Sequence, residues 1–495
     1  MKKKALVTCL LIQVLFLTWS IPLQADAEED KAHQKDARVL SLEECVRLAV
    51  YNSFEAKMAK LDLLIAETDL MPAVAVFDTI LFGNVGYAED KRQQVSVFAP
   101  DDNQTNTYSV GVTKELPTGT ELTATWGDTR SWNNSVFITK NPSHNAELSL
   151  EARQPVGQNF FGYADRGSVT ITKLAIMNAG LEEKDRIEAL IADVERAYLE
   201  VLFAKKSLNV FRRILEKAKD LYEAQQKNYD LGLIERVDLY AAEGNVATRQ
   251  AEVLVADNRY NRARENLKFL MNTDEDVHIV LAEELALDPI DKDLSDCLKG
   301  AFENRRDYFI RKRDIEIKGL DLKVKENMKW PEIDLIGTLA MNGLEGEFNK
   351  AFGKTTTADN TYMFVGVEVT MPVENNLARG EYKKAKYEKE KAVVSLKETE
   401  RKIITEIGNA YNDALAFQAS VIFTKKALGL ELSKFTEEEK RFKYGRSNAK
   451  RLIDYQQDLL RAALENARFI LDQRKAKVDL ERTMNIILKK YEDIL

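Results

Sequence analysis

The chain has 495 residues, too many for one ordinary compact domain unless the fold is elongated or repetitive. Hydrophobic residues make up 45% and charged ones 31%, a balance that excludes a disordered chain and a helical membrane protein. A net charge of −8 without a basic face excludes a nucleic-acid partner.

The N-terminus predicts a secretion signal over residues 1–27. Lys2 to Lys4 are followed by the short apolar run Ala5 to Trp19, then by small residues at Ala25 and Ala27. The run is short for a bilayer span of ~20 residues, which disfavours a membrane anchor. Cys9 sits inside it, not at its end, which disfavours a lipoprotein. Export without a spanning helix leaves a soluble periplasmic protein or a β-barrel. Beyond the signal stand Cys45 and Cys297, and three scattered histidines, His33, His144 and His278. Neither a zinc site nor another cofactor is expected from such a set.

The two halves resemble each other. Ser41-Leu42-Glu43-Glu44-Cys45-Val46-Arg47-Leu48-Ala49 aligns with Asp293 to Ala301, matching Leu, Cys and Ala in register; Asn52 aligns with Asn304. Duplication predicts two structural units packed side by side: 38–285 (strands about 73–155, helical hairpin about 165–272) and 286–495 (strands about 332–372, helical hairpin about 376–490). Prolines mark the changes. Pro72 and Pro331 end helical patterns, and Pro155 and Pro372 end alternating ones.

Between those prolines the period is two. Tyr108, Val110 and Val112 alternate with Ser109, Gly111 and Thr113, and after the turn Pro117-Thr118-Gly119, Leu122, Ala124 and Trp126 alternate with Glu121, Thr123 and Thr125. Leu148, Leu150 and Ala152 oppose Glu147, Ser149, Glu151 and Arg153. In the second unit, Ile333, Leu335, Leu339 and Met341 oppose Asp334, Thr338 and Ala340, and Met363, Val365, Val367, Val369 and Met371 oppose Tyr362, Gly366, Glu368 and Thr370. One greasy face and one carboxylate-bearing face fit a water-filled barrel, or equally a half-buried sheet in a soluble domain. Glu89–Asn106 and Gly127–Asn145 read as long loops, and Pro117–Gly119 as a short turn.

From about Gly167 to Asn228 the pattern is helical. Ile187, Ile191, Val194, Tyr198 and Val201 form one stripe. Leu239, Ala242, Val246, Arg249, Val253, Ala256, Tyr260, Ala263, Leu267 and Leu270 keep a 3,4 spacing throughout, a heptad seam. A helix of ~60 residues spans roughly 90 Å, far more than a compact domain needs. Gly232 and Gly445 end the first helix of each pair, and Asp238, Ser447 and Asn448 are candidate first-turn or cap residues for the returning ones.

Signal, duplicated helix–strand–strand–helix units and hairpin tips at Tyr229-Asp230-Leu231-Gly232-Leu233 and Phe442-Lys443-Tyr444-Gly445-Arg446-Ser447 together resemble the TolC family of outer-membrane efflux proteins, from about Ser41 to Leu488. The resemblance implies a mainly α fold with β. In it, three copies close a transmembrane β-barrel continued by a periplasmic α-helical coiled-coil barrel. It implies a homotrimer in outer-membrane lipid, serving tripartite efflux or type I secretion through a periplasmic adaptor protein and, via that adaptor, an inner-membrane pump. By the same resemblance, Leu231, Gly232, Leu233, Tyr444, Gly445 and Arg446 are adaptor-docking tips. Asp454, Arg451, Asp238 and Phe442 fall at the periplasmic gate. The sequence departs from the family where Arg451 stands at a usual aspartate and Phe442 replaces a tyrosine. The family usually has four strands per protomer. The extra hairpin Tyr108–Trp126 either widens the barrel to six strands per protomer, which its alternation favours, or folds over the mouth. Cys45 and Cys297, at equivalent repeat positions, are either buried thiols or a disulfide pair.

Phosphate loops, nucleophile elbows and His–carboxylate clusters are absent, so no enzyme is expected. The rival reading is a periplasmic coiled-coil adaptor or another structural protein of an export complex. Bracketed strand pairs in both halves favour the channel.

Overall fold

The computed structural model describes residues 37–93, 100–273 and 278–493. The predicted signal, with Cys9, lies outside them.

The element series runs twice. Strand β1 (Ala37–Leu40) leads into α1 (Leu42–Asn52), α2 (Phe54–Thr68) and the short α3 (Leu70–Val74). Four strands follow: β2 (Thr79–Asp90), β3 (Asn103–Glu115), β4 (Glu121–Asn133) and β5 (Ser143–Pro155). Helices α4 (Tyr163–Asp230) and α5 (Arg236–Met271) complete the first series, and β6 (His278–Leu281) returns to pair in parallel with β1. The second series is α6 (Leu294–Asn304), α7 (Arg306–Asn327), β7 (Glu332–Glu345), α8 (Phe348–Lys354), β8 (Thr361–Thr370), α9 (Asn376–Lys443), α10 (Ala449–Thr483) and α11 (Ile487–Lys490). Equivalent helices match in length: α1 and α6 have 11 residues each, and α4 and α9 have 68 each.

Local chemistry sets the ends. Ser41 caps α1 in a reciprocal box: the Glu44 amide donates to Ser41 Oγ at 3.3 Å, and the Ser41 amide to Glu44 Oε2 at 3.0 Å. The two long helices stop by one device. Gly232 and Gly445 take φ of 71° and 70°. The amides that follow them, Leu233 and Arg446, reach back to Asn228 O and Arg441 O at 2.8 Å, and the glycine amides reach Tyr229 O and Phe442 O at 2.9 and 3.0 Å. A left-handed residue satisfies the last carbonyls in this way, and glycine adopts that shape without a Cβ penalty. The returning helices differ. Asn448 caps α10, accepting the Arg451 amide at 2.9 Å, whereas α5 has no side-chain cap. Asp238 lies one turn in, and its acidic charge there suits the helix dipole.

All six long strands form one antiparallel sheet in the order β2-β3-β4-β5-β7-β8. The extra hairpin is therefore part of the sheet, paired on both sides, and does not lie over its end. The strands also run further than the alternation predicted. Where loops are expected over Glu89–Asn106 and Gly127–Asn145, β2 runs to Asp90, β3 begins at Asn103, β4 runs to Asn133 and β5 begins at Ser143, because Asn, Ser and Thr continue the ladder where no apolar residue marks it. Pro72 does not stop its helix either; it sits within α3, in the first turn where its missing N–H costs nothing.

At 1.5 Å per residue, α4 and α9 are each about 100 Å long. The heptad residues Leu239, Ala242, Arg249, Ala256 and Leu267 are buried, and Val246, Val253, Tyr260, Ala263 and Leu270 are half-buried, so the 3,4 stripe is the seam that α5 turns towards α4 and α10. The main core joins Cys45, Ile191, Tyr198, Leu267 and Ile487; a second joins Cys297, Ile403, Ile407, Leu480 and Met484; a small third near the tips joins Leu221, Phe435, Ala449 and Leu452. Cys45 and Cys297 therefore sit in separate clusters and form no disulfide. Burial pushes the Cys297 thiol up. No helix among the described residues is long and apolar enough to cross a membrane.

Candidate channel wall and periplasmic tip

The strand register sorts the sheet into two faces. Row by row, Leu81, Val112, Ala124, Leu150, Leu339 and Met363 lie side by side, as do Val110, Trp126, Leu148 and Met341. That face is almost wholly apolar, and much of it is open: Leu81 is 71% exposed and Val365 81%. The opposite face carries Thr105, Thr107, Thr113, Thr123, Thr125, Thr338 and the carboxylates Glu115, Glu121, Glu147, Glu151 and Glu368. Across it Arg153 donates to Asp334 at 2.8 Å and to Glu368 at 2.9 Å. Exposure of so large an apolar face is tolerable in lipid and costly in water.

Two strands of this sheet, β2 and β8, have a neighbour on one side only. Both are long and uncharged over most of their length, which is an invitation to pair with another chain. The helices leave matching openings. On α9, Leu415 and Ile422, and Phe423 and Leu430, are each seven residues apart and exposed; on α5, Leu254 and Val255 are 72% and 53% exposed. These stripes lie outside the seam that packs the chain on itself.

The tip residues stand as follows. Leu231, Gly232 and Leu233 form the exposed turn of one hairpin, and Tyr444, Gly445 and Arg446 that of the other; the large side chains there are exposed, Tyr444 by 80%. Phe442 is half-buried against the third cluster. Asp238 and Asp454 are both exposed, and neither carboxylate takes part in a hydrogen bond or ion pair. Arg451 does not neutralise Asp454: its guanidinium lies 3.8 Å from Glu438 Oε1, an oxygen that also accepts from Ser447 Oγ at 2.5 Å. Above the tip, polar pairs knit the hairpins together, with Asn245 donating to Gln456 at 3.1 Å and Arg249 to Gln457 at 2.6 Å. The structure thus brings Arg451 and Glu438 together, and leaves the four gate candidates without direct bonds to one another. Among the described residues no group of His, Cys, Asp and Glu could hold a metal ion.

One feature escaped the sequence reading. Helix α8 folds back onto the apolar face, over Ala146 and Gly343. Its signal was faint: Phe348 and Phe352, four residues apart, with lysines at Lys350 and Lys354.

Residues 119–273 match the model of the family described as outer membrane efflux protein. No curated protein matches the chain. Among solved structures it is similar to the CmeC outer membrane channel of Campylobacter jejuni (14% identity, 94% of each chain covered, TM-score 0.66). It is similar also to the outer membrane protein VceC of Vibrio cholerae (14% identity, 90% of this chain and 96% of that one, TM-score 0.66). The open state of the MtrE outer membrane channel of Neisseria gonorrhoeae is a third (16% identity, 91% and 94%, TM-score 0.65). A family match confined to residues 119–273 and a shared fold over nearly the whole length make the chain similar to outer membrane efflux proteins and give it the fold of these channels.

Proposed function

We propose that three copies of this chain close a ring that conducts solutes passively out across the outer membrane, as the channel of a tripartite efflux or type I secretion system. The observation that carries this is the sheet: one face apolar, the other hydroxyl- and carboxylate-bearing, with both edges open. Pairing β8 of one copy with β2 of the next is a head-to-tail contact that closes at three. Six strands from each copy make eighteen, a number that leaves a water-filled lumen in barrels of about 16–18 strands. Below, α4, α5, α9 and α10 of each copy prolong the wall as a helical tunnel into the periplasm, sealed where the α9 stripe of one copy meets the α5 stripe of its neighbour.

At the far end, Asp454 in three copies forms an acidic, cation-attracting ring at the gate, beside Asp238, Arg451 and Phe442. The exposed turns at Leu231–Leu233 and Tyr444–Arg446 are where a periplasmic adaptor docks, joining the channel to an inner-membrane pump. Cys45 and Cys297 belong to no site. The chain is a conduit and carries out no chemistry of its own. Membrane fractionation tests the reading. The chain should stay with outer membranes through a carbonate wash and run as a trimer in mild detergent; release by the wash would refute it and favour a periplasmic coiled-coil adaptor.

A further inference from the structure

The apolar face of the sheet gives way to polar side chains at its ends, at Lys114 near the long helices and in a cluster at the end remote from them. There Asp128 and His144 lie on the same face as Trp126, Leu148 and Leu150, His144 Nδ1 standing 2.7 Å from Asp128 Oδ2. A carboxylate on a lipid-facing wall is costly. Helix α8 removes it from lipid. The helix crosses the sheet so closely that a Cβ on Gly343 would stand 2.1 Å from Ala351 O, and Ala351 of the helix and Ala146 of the sheet are fully buried. Asp128 is 2% exposed, and its Oδ1 has no hydrogen-bond partner.

What the helix shows outward is different. The rings of Phe348 and Phe352 stack 6.2 Å apart, both meet Trp126 edge-on at 6.0 and 5.9 Å, and both remain more than 40% exposed. Tyr108, level with Asp128 on the same face, is also exposed. Lys350 and Lys354 flank the rings with Lys140; their carboxylate partners are Glu347 for the first and Glu345 for the other two. Rings set beside amines at one level of an otherwise aliphatic wall are the chemistry of the boundary between acyl chains and headgroups. The position survives assembly, because α8 rests on β5 and β7, which are paired on both sides within one chain.

We propose that α8 is an interfacial helix docked on the outside of the barrel. Phe348 and Phe352 sit in the outer leaflet just below the lipid headgroups, with the lysines reaching up to the headgroup phosphates. The helix thereby fixes how deep the channel rides in the membrane and seals the Asp128–His144 pair from lipid. This rests on the channel reading above, and the test separates the two.

The test is depth-dependent fluorescence quenching. The full chain, with Trp19, Trp126, Trp132 and Trp330 replaced by phenylalanine, carries either Phe352→Trp or, in mid-face, Leu339→Trp. It is reconstituted into phosphatidylcholine vesicles brominated near the headgroup or near the chain end. The account expects Phe352→Trp to lose most of its emission to the shallow bromines and little to the deep ones, and Leu339→Trp to show the reverse. Phe352→Trp unquenched while Leu339→Trp is quenched would place α8 in water and overturn this proposal alone. Phe352→Trp quenched most by the deep bromines would overturn the boundary placement. No quenching at either position would remove the sheet from the membrane and overturn both. Phe348→Trp, one turn away, repeats the measurement if position 352 does not accept indole.

Discussion

Glu188, fully buried in α4, is held from two sides by the second half of the chain: the Arg306 guanidinium donates to Oε2, and the Ile487 amide donates to Oε1 at 2.9 Å. Around it Arg482 forks onto Asp185 at 2.9 Å, and the Arg306 amide donates to Asn485 Oδ1 at 3.1 Å. This buried knot ties the duplicated units together. Glu188→Ala leaves the buried Arg306 charge without its direct partner and with only Asp185 Oδ1, 3.8 Å away. It should destabilise the chain by about 3–5 kcal/mol, read as a lower midpoint in denaturant, whereas Glu182→Ala, on the same helix but without such a partner, should change it little.

The exposed stripes on α9 and α5 are assigned to contact between copies. Phe423→Asp or Leu254→Asp should shift the protein from trimer to monomer in mild detergent without loss of helical content. Light scattering and circular dichroism on one sample read both. A variant that stays trimeric takes its residue out of the interface.

Asp454 is exposed and unpaired while Arg451 faces Glu438. In planar bilayers Asp454→Ala should therefore lower the preference for cations, seen as a smaller reversal potential under a salt gradient. An unchanged reversal potential would remove Asp454 from the gate.

Asp307 lies against Arg305, which donates to its two oxygens at 3.0 and 2.6 Å. Burial opposes its charge, but the guanidinium outweighs burial and holds the carboxyl below its ordinary value of 3.8. A depressed carboxyl stabilises the fold fully above that ordinary value, and the contribution is lost as the pH falls towards the lower folded value. Asp307→Asn should thus cost stability at pH 7 and progressively less below about pH 4, measured as the difference in denaturation midpoint across a pH series.

Cys45 and Cys297 are buried thiols in separate clusters. A thiol reagent should label neither in the folded protein and both after denaturation, with or without prior reduction. Labelling that appears only after reduction would mean a disulfide.

Much of this architecture was legible because each element carries a periodic signal. The 3,4 stripe from Leu239 to Leu270 marks the buried side of α5, and Gly232 and Gly445 mark both tips because only a left-handed residue closes such a helix. The paired faces of β7 and β8 follow from alternation alone. Other parts depend on contacts distant in sequence. Asn103 to Thr107 and Gly127 to Asn133 read as loop because their side chains are polar, yet the ladder continues through them by backbone pairing. The short parallel pair β1–β6 joins segments far apart in sequence, with no local pattern to announce it. The direction of the Arg451 side chain, towards Glu438 and away from Asp454, depends on the packing of α9 against α10. Helix α8 has too few residues to show a period, and its trace in the sequence is the Phe348–Phe352 spacing and the bare Gly343 beneath it.

The central claim is that three copies enclose a pore, and single-channel recording of the purified full-length protein in a planar bilayer tests it most directly. The account predicts discrete current steps carried chiefly by cations, from a preparation that runs as a trimer. A monomeric preparation that inserts into the bilayer and passes no current would contradict it.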